Sequence, residues 1–253
     1  TTNSPNAVRS YLNFYGRGAI DIFNGGTLDG GGLYVAAAAQ NRTDDLTVAI
    51  TNSGPISGAE LIFRTEGLSS QFQGRTSIWQ QNAAAPASVS YRNVDVQVLN
   101  TGRLTTSRLD VSGRGDDVNV DVVNRGLFDG RAPNSLDFYT DPLSILSASG
   151  FAPLAGSATV RLANEGDMIL TRDSLGTAHY LLAARSTHDV ELTNSGNITL
   201  DAGAGRADAL RLIQGENTSG AKTYVFDGTA VMRNSGRLEI NGTNRNAQET
   251  GKY

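Results

Sequence analysis

Paired carboxylates are the residues whose type and spacing could do catalysis. A glycosidase needs two carboxyl groups facing one cleft, about 5 to 9.5 Å apart. Asp121 and Glu191 occupy equivalent positions in a repeat described below, with Arg161 at the same position between them. That arginine neutralises both acids, so nothing favours the raised pKa of a proton donor. The adjacent acids at 44–45 and 116–117 fall in predicted turns, where solvation is their ordinary role.

Patterns for a nucleophile or a metal ligand are weaker. The segment "RDSLG" at 172–176 has Arg where a serine esterase signature has Gly. His179 and His188 are isolated, and a chain with 0 Cys has no thiolate site. The sequence therefore predicts no catalytic residue, no metal site and no cofactor.

Arg114, Gly115 and Asp116 form the tripeptide Arg-Gly-Asp within "SGRGDDV". Integrin receptors recognise this tripeptide when its cation and carboxylate point apart from an exposed turn. In the repeat it falls between the third strand of the shortest copy and the next first strand, where we expect a projecting turn. A chain rich in Gly, Arg and Asp also produces the tripeptide by chance, and both interpretations stay open.

Three predicted insertions supply the other candidates for binding, since loops on a rigid scaffold commonly carry recognition. The insertions are residues 64–93, 129–157 and 214–228. The first contains Phe72, Ile78, Trp79 and Tyr91, and the second contains Phe138, Tyr139, Ile145, Leu146 and Phe151. Of these, Trp79, Phe138 and Tyr139 are the candidates to contact a host protein or a glycan. Alternatively, each loop folds back and seals a small core of its own.

The composition limits the classes of protein that the chain can belong to. With 29 Gly and 6 Pro in 253 residues, it favours short strands joined by tight turns. A net charge of −4, with arginines scattered singly and Lys222 and Lys252 as its lysines, argues against nucleic-acid binding. No stretch approaches the roughly 18 apolar residues of a membrane-spanning helix. A signal peptide is also missing, so we expect a mature or excised fragment or a cytoplasmic protein.

The pattern apolar-x-apolar-x-Asn-x-Gly-x-apolar recurs seven times, far more often than chance allows. The asparagines are Asn24, Asn52, Asn100, Asn124, Asn164, Asn194 and Asn234. The glycines are Gly26, Gly54, Gly102, Gly126, Gly166, Gly196 and Gly236. These residues are predicted to be structural.

Each position of the repeat has a physical interpretation. Alternating apolar residues direct one face of a strand into a core. We expect Gly at a positive φ, with Asn in the left-handed region or bonded to its own turn. Because one strand pair cannot bury its own face, the copies must stack, and stacked Asn side chains can hydrogen-bond in a ladder. The alternating charges of Asp121, Arg161 and Glu191 would also attract on neighbouring copies, or they are random surface charge.

A third strand follows most copies, in segments such as "GLYVAA" and "ADALRLI". Three strands per copy predict an all-β fold: one right-handed parallel β-helix over residues 1–253, with three strands per coil and about seven coils. The copies are spaced by about 24 to about 48 residues. The shortest spacing just holds three strands, so the longer copies carry the insertions.

This repeat resembles those of secreted bacterial β-helix proteins, the autotransporter passenger domains and the filamentous haemagglutinin-like adhesins. The resemblance covers nearly the whole chain, but it is architectural. It implies a secreted or surface protein of a Gram-negative bacterium, attached to the outer membrane and active in adhesion or virulence. The translocator that ends a complete autotransporter is not in the sequence, so an excised passenger segment is expected.

The sequence thus favours a non-enzymatic adhesin or virulence factor that binds a host protein or glycan through loops on a β-helical rod. It predicts neither nucleic-acid binding nor a membrane-spanning segment. Two alternatives remain: a carbohydrate-active β-helix enzyme of the lyase, hydrolase or tailspike type, and a structural stalk segment.

Overall fold

The computed structural model describes twenty β-strands and, within the same residues, no helix. The described residues are 8–58, 60–65, 91–105, 107–130, 144–153, 155–171, 180–203, 208–214 and 228–242. Every strand pairing in these ranges is parallel. The predicted all-β fold with parallel strands is therefore confirmed.

The strands form three sets of parallel neighbours, named sheets A, B and C. Sheet A contains β1 (Val8–Tyr15), β4 (Gly31–Ala38), β7 (Glu60–Thr65), the first part of β10 (Arg108–Asn124), β12 (Ser144–Phe151), β15 (Tyr180–Ser186) and β18 (Asp208–Gln214). Sheet B contains β2 (Gly18–Asn24), β5 (Asp45–Asn52), β8 (Tyr91–Asn100), the second part of β10, β13 (Ser157–Asn164), β16 (Asp189–Asn194) and β19 (Ala230–Asn234). Sheet C contains β3 (Leu28–Asp29), β6 (Ile56–Ser57), β9 (Leu104–Thr105), β11 (Phe128–Gly130), β14 (Met168–Thr171), β17 (Ile198–Gly203) and β20 (Leu238–Gly242).

Successive strands enter sheets A, B and C in that order, again and again along the chain. One set of three is called a rung: β1 to β3 form the first rung, and β18 to β20 form the last. In the fourth rung, β10 is long enough to pair in sheet A and then in sheet B, which joins these into one 13-stranded sheet. Sheet C has 7 strands.

The core is built from equivalent apolar side chains of successive rungs. In sheet B, Val48, Val96, Val120 and Val160 are neighbours in register, and each has 0% exposure. Neighbouring polar residues point to the other face, because side chains alternate along a strand. Apolar residues of sheets A and C belong to the same buried cluster, so the three sheets share one core.

The seven repeat asparagines form a continuous hydrogen-bond ladder from Asn24 to Asn234. Each side-chain Nδ2 donates to the Oδ1 of the asparagine in the next rung, at 2.5 to 2.7 Å. From Asn52 onward, each Nδ2 also donates to the carbonyl oxygen of its own repeat glycine, at 2.8 to 3.1 Å. The asparagines therefore bind both their own turn and the neighbouring one.

The repeat glycines are needed for a different reason from the one predicted. Positive φ values occur at Gly16, Gly18, Gly30, Gly58 and Gly228, and at none of the seven repeat glycines. Instead, a Cβ placed on any repeat glycine after the first would lie 1.9 to 2.2 Å from the carbonyl oxygen of the preceding repeat glycine. The expectation of positive φ is wrong, and close stacking of the turns explains the glycine.

The predicted insertions have narrower bounds than expected. Within 129–157, residues 144–151 form β12, which pairs with β10 and β15 in sheet A. In the sequence repeat that contains Asn124, β12 is the third strand. The extra residues of this repeat, 131–143, therefore come before its third strand, whereas the sequence predicts them after it. Within 64–93, Arg64 and Thr65 complete β7, and Tyr91 begins β8. The segments 66–90, 131–143 and 215–227 lie outside the described residues.

Asn100→Ala tests the ladder, with Asn93→Ala as a control on the same strand. The Asn100 side chain is buried and makes three ladder and turn bonds, whereas that of Asn93 is exposed. We expect Asn100→Ala to lower the free energy of unfolding by about 3 kcal/mol, because buried amide groups lose partners. Asn93→Ala should change it by less than about 0.5 kcal/mol. Equal urea midpoints for the two variants would contradict the ladder.

Gly102→Ala and Gly26→Ala test why the repeat needs glycine. The new Cβ at residue 102 would lie 2.1 Å from the Gly54 carbonyl oxygen, whereas at residue 26 it meets nothing within 4 Å. We expect Gly102→Ala to cost about 3 kcal/mol through overpacking. Gly26→Ala should leave the melting temperature of the dilute protein nearly unchanged. If both variants melt alike, close stacking does not explain the glycine.

Candidate functional site

The three connections of a rung differ in how freely their length varies. Between sheets B and C, each connection is the Asn-x-Gly turn, and strands resume four residues after the asparagine in every rung. The A-to-B connection, called the AB edge, includes the long segments 66–90 and 215–227. The C-to-A connection, called the CA edge, includes 131–143 and 172–179. Additional sequence is thus confined to the two edges without an asparagine ladder.

The Arg-Gly-Asp tripeptide lies at the AB edge, within β10. Sheet A pairing continues to Arg114, and sheet B pairing begins at Gly115, so no turn separates the two. The prediction of a projecting turn is therefore wrong, because in this short rung β10 passes directly from sheet A to sheet B. Arg114 and Asp116 are exposed and Gly115 is buried. Since side chains two apart share a strand face, the cation and the carboxylate project side by side.

Crowding at this bend gives Gly115 a structural role. A Cβ on Gly115 would lie 3.1 Å from both the Tyr91 carbonyl oxygen and a Val94 methyl. On the next rung, a Cβ on Gly156 would lie 1.9 Å from the Asp116 carbonyl oxygen. The inner side of the AB edge therefore requires small residues whether or not the tripeptide binds anything.

The tripeptide lies directly against both ends of the 66–90 segment. The backbone N–H of Arg114 donates a hydrogen bond to Thr65 Oγ1, the last described residue before that segment. Gly115 is opposite Tyr91, the first described residue after it. Trp79 belongs to this segment and lies outside the described residues. The structure thus brings Arg114 and Asp116 together with the ends of the segment that carries Trp79.

The other aromatic and apolar candidates divide between the core, the AB edge and the CA edge. Tyr91 is buried, its hydroxyl donates to the Gly16 carbonyl oxygen at 3.0 Å, and burial raises its pKa. Leu146 is fully buried in sheet A. Phe151 lies opposite Arg114 at the AB edge, and the Arg185 guanidinium lies over its ring, 5.0 Å from the ring centroid. Phe72, Ile78, Phe138, Tyr139 and His179 lie outside the described residues, and the segment with Phe138 and Tyr139 leaves from the CA edge.

Of the two candidate acids on the surface of sheet B, Glu191 forms ion pairs. Asp121, Arg161 and Glu191 are neighbours in register, as the repeat predicts. Arg161 Nε lies 3.9 Å from Glu191 Oε2, and Arg233 also pairs with Glu191. The two arginines are largely exposed and Glu191 is partly exposed, so each pair contributes at most about 1 kcal/mol.

The acids at 44–45 have different local roles. Asp44 accepts hydrogen bonds from the Gln40 and Asn41 amides at 2.8 and 2.9 Å, and it is buried. The Asn41 backbone bond is the largest influence on its pKa, which lies below the ordinary value. Asp45 begins β5 and pairs with Arg92 on the next rung.

A buried charge cluster on sheet A was not predicted. Asp110 Oδ2 lies 2.6 Å from Arg64 and 2.8 Å from Arg108, and Ser147 Oγ donates to Asp110 Oδ1 at 2.5 Å. Burial alone would raise the pKa of Asp110. Arg108, Arg64 and the Ser147 hydroxyl together lower it by more than burial raises it, so the pKa lies below its ordinary value of 3.8. The cluster keeps Asp110 ionised and is unsuited to donating a proton.

His188 belongs to a polar corner at the AB edge of the sixth rung. Its Nδ1 lies 3.0 Å from Thr187 Oγ1, which accepts a bond from the Ala152 amide. The Ser186 hydroxyl donates to the Ala158 carbonyl oxygen at 3.1 Å and accepts from the His188 amide. These groups satisfy backbone atoms at the bend, so the corner has a structural explanation.

The part of the chain that the structure describes contains no further candidate site of the metal-binding or membrane-spanning kind. Within the described ranges, no three His, Asp or Glu side chains are grouped as metal ligands. The same residues include no helix of the length and apolar character needed to cross a membrane. Comparison with family models, curated proteins and solved structures finds no match.

Asp110→Asn tests the buried charge cluster, with the exposed Asp116→Asn as control. The pKa of Asp110 is lower in the folded protein than in the unfolded chain, where it is near 3.8. Its ionised form therefore stabilises the folded protein fully at pH values above 3.8. This stabilisation is lost as the pH falls through the pKa of the folded state. At neutral pH we expect Asp110→Asn to cost about 2 kcal/mol, because two arginines lose their counter-ion. The difference from wild type should shrink toward about pH 2. Urea midpoints at both pH values measure this, and a pH-independent difference would contradict it.

Proposed function

We propose that the chain is a right-handed parallel β-helix with three strands per coil, which serves as a non-enzymatic binding scaffold. The repeated order of sheets A, B and C, the parallel pairing and the shared core support this winding. Right-handed crossovers are the general rule for parallel strands. Each rung is then one coil, and the asparagine ladder lies along one edge of the rod.

The binding proposal depends on how Arg114, Asp116 and the ends of the 66–90 segment are arranged at the AB edge. There, a rigid strand presents an exposed cation and an exposed carboxylate on one face, and the 66–90 segment begins and ends against them. Loops held by a rigid scaffold are common recognition elements, and Trp is enriched at binding hot spots. We therefore assign binding to Arg114, Asp116 and the 66–90 segment with Trp79.

The repeat supports our proposal for the class of protein. In our proposal the chain is part of a secreted or cell-surface bacterial protein similar to an autotransporter passenger or a filamentous haemagglutinin-like adhesin. Its partner is a host extracellular protein or glycan. The architecture of stacked coils with loops at two edges supports this assignment, as does the absence of Cys from the sequence, which suits export in an unfolded state.

Arg114→Ala/Asp116→Ala tests the binding surface, measured as attachment of the purified protein to host cells and to matrix proteins. Both side chains are exposed, so we expect an unchanged melting temperature and at least about tenfold weaker attachment. Arg125→Ala/Glu165→Ala is the matched control, because it removes an exposed cation and anion that pair at 2.8 Å beside the asparagine turn. Equal attachment by both double variants would overturn the assignment to Arg114 and Asp116.

A deletion separates a binding segment from a structural stalk. In the fourth rung, β10 joins sheets A and B without a turn, so residues 66–90 can be replaced by the sequence of that bend. We expect the shortened protein to fold and to lose attachment. Full attachment by a folded deletion would favour a stalk function. Cleavage of a polysaccharide by the intact protein would favour the enzyme alternative.

A further inference from the structure

The outer face of sheet A carries an aromatic ring between two arginines at the AB edge. Arg114 on β10 lies directly opposite Phe151 on the neighbouring strand β12. Arg185 belongs to β15, the next strand along, and its guanidinium lies over the Phe151 ring, 5.0 Å from the centroid. Neighbouring strands are about 4.8 Å apart, so the backbones that carry the two arginines are separated by about 10 Å. Both long side chains can therefore reach one ligand.

Neither of these arginines is neutralised by an acid of the protein. On the same face, Arg64 and Arg108 both pair with Asp110. In the described ranges, no acidic side chain pairs with Arg114 or Arg185, and the buried Nε of Arg185 has no hydrogen-bond partner. An unpartnered buried donor opposes folding, so the stability of the fold does not explain Arg185. The two charges are available to a ligand.

Stacking on Phe151 holds the Arg185 guanidinium in one orientation. A cation over an aromatic face is attracted to the ring, and the planar guanidinium directs its N–H donors along its edges. These donors match the paired oxygen atoms of an oxyanion, such as a carboxylate or a sulfate group. Because the cation is already positioned, less conformational entropy is lost when an oxyanion binds. The arrangement therefore indicates an acidic ligand.

Two serines extend the same surface across three strands. Ser112 lies opposite Ser149, and Ser149 lies opposite Arg185. Both serines are partly exposed, and a hydroxyl group can donate or accept a hydrogen bond. Asp116 is exposed on the face of Arg114 and, as a carboxylate, accepts hydrogen bonds. This mixture of groups fits a ligand that carries hydroxyl groups as well as acidic groups.

The pairing of these strands argues against a peptide as the ligand. Extended peptides commonly bind by adding a strand to a free sheet edge. Here β10 pairs with β7 and β12, and β12 pairs with β10 and β15, so their backbone groups are already used. A strongly acidic peptide would also place carboxylates against Asp116 without offering it hydroxyl groups. A glycan with acidic substituents satisfies both conditions.

We propose that Arg114, Phe151 and Arg185 bind the acidic groups of a glycan, with Ser112 and Ser149 contacting its hydroxyl groups. The inference rests on the proposed binding function and specifies the ligand of that surface, a glycan with sulfate or carboxylate substituents. Since the attraction acts at the protein surface, binding should weaken as the salt concentration rises.

Neutral dextran, carboxymethyl dextran and dextran sulfate of one chain length test the proposal, with binding measured by isothermal titration calorimetry at low salt. The 253-residue chain should bind at least one acidic dextran and not the neutral one, and the two acidic forms distinguish a carboxylate from a sulfate ligand. Arg185→Gln should weaken this binding at least about tenfold, because a paired hydrogen bond to the oxyanion is lost. Arg125→Gln removes the same charge from an exposed ion pair and should weaken it less than about twofold.

Absence of saturable binding to both acidic dextrans, or equal losses in Arg185→Gln and Arg125→Gln, would overturn the proposal. Tighter binding of polyglutamate than of either acidic dextran would also overturn it. Phe151→Leu keeps an apolar side chain but removes the ring, and unchanged binding by this variant would contradict the role of stacking. If Arg185→Gln lowers the melting temperature, Arg114→Gln at an exposed position takes its place.

The acidic-glycan proposal and the proposed function fail in different ways. Loss of cell attachment in Arg114→Ala/Asp116→Ala, without any binding of acidic dextran by the wild type, would support the surface and reject its glycan ligand. Binding of acidic dextran that depends on Arg185, together with normal attachment of the double variant to cells, would support the glycan site and reject its role in attachment.

Discussion

The hydrogen-bonded ladder of asparagine side chains is the interaction on which the rest of the structure depends. In a strand with alternating faces, a slip by one residue would turn every core side chain outward. Each asparagine prevents such a slip because its amide binds the next asparagine and its own turn at the same time. Since strands of sheets B and C begin and end at these turns, one ladder sets the register of both sheets.

The glycine two residues after each asparagine makes this ladder geometrically possible. Amide groups in adjacent rungs meet at hydrogen-bond distance only where the two turns approach closely, and a Cβ there would overlap a carbonyl oxygen. The pairing of Asn with Gly is thus a joint requirement of hydrogen bonding and packing. Because each rung contacts its two neighbours, stability should depend mainly on interactions between adjacent rungs.

The periodic parts of the fold could be predicted from the sequence, whereas the conformations at the bends could not. Alternating apolar residues and Asn-x-Gly spacing identify sheets B and C directly. The sequence pattern places the sheet A strand at 144–151 within an insertion, because "SILSASGF" is rich in small residues and lacks strong alternation. Gly150 is needed there because a Cβ would lie 2.6 Å from a Val160 methyl, a contact visible only once the strands are paired.

The candidate site was predicted in its residues but not in its geometry. The tripeptide and Trp79 stood out in sequence, but only the register shows that residues 114–116 lie against both ends of the 66–90 segment. The Asp110 cluster was missed because Arg64, Asp110 and Ser147 come from three different rungs. Ionic contacts between distant segments carry no local sequence signal.

The division of the edges also explains where the length of the chain can vary without loss of the fold. The turn between sheets B and C cannot change in length, because its asparagine must meet the asparagines on both sides. The AB and CA edges have no such ladder, so strands resume in register after short or long segments alike. The segment that carries Trp79 departs from the AB edge and the one that carries Phe138 and Tyr139 from the CA edge. The two segments therefore leave the sheets at different edges of the rungs.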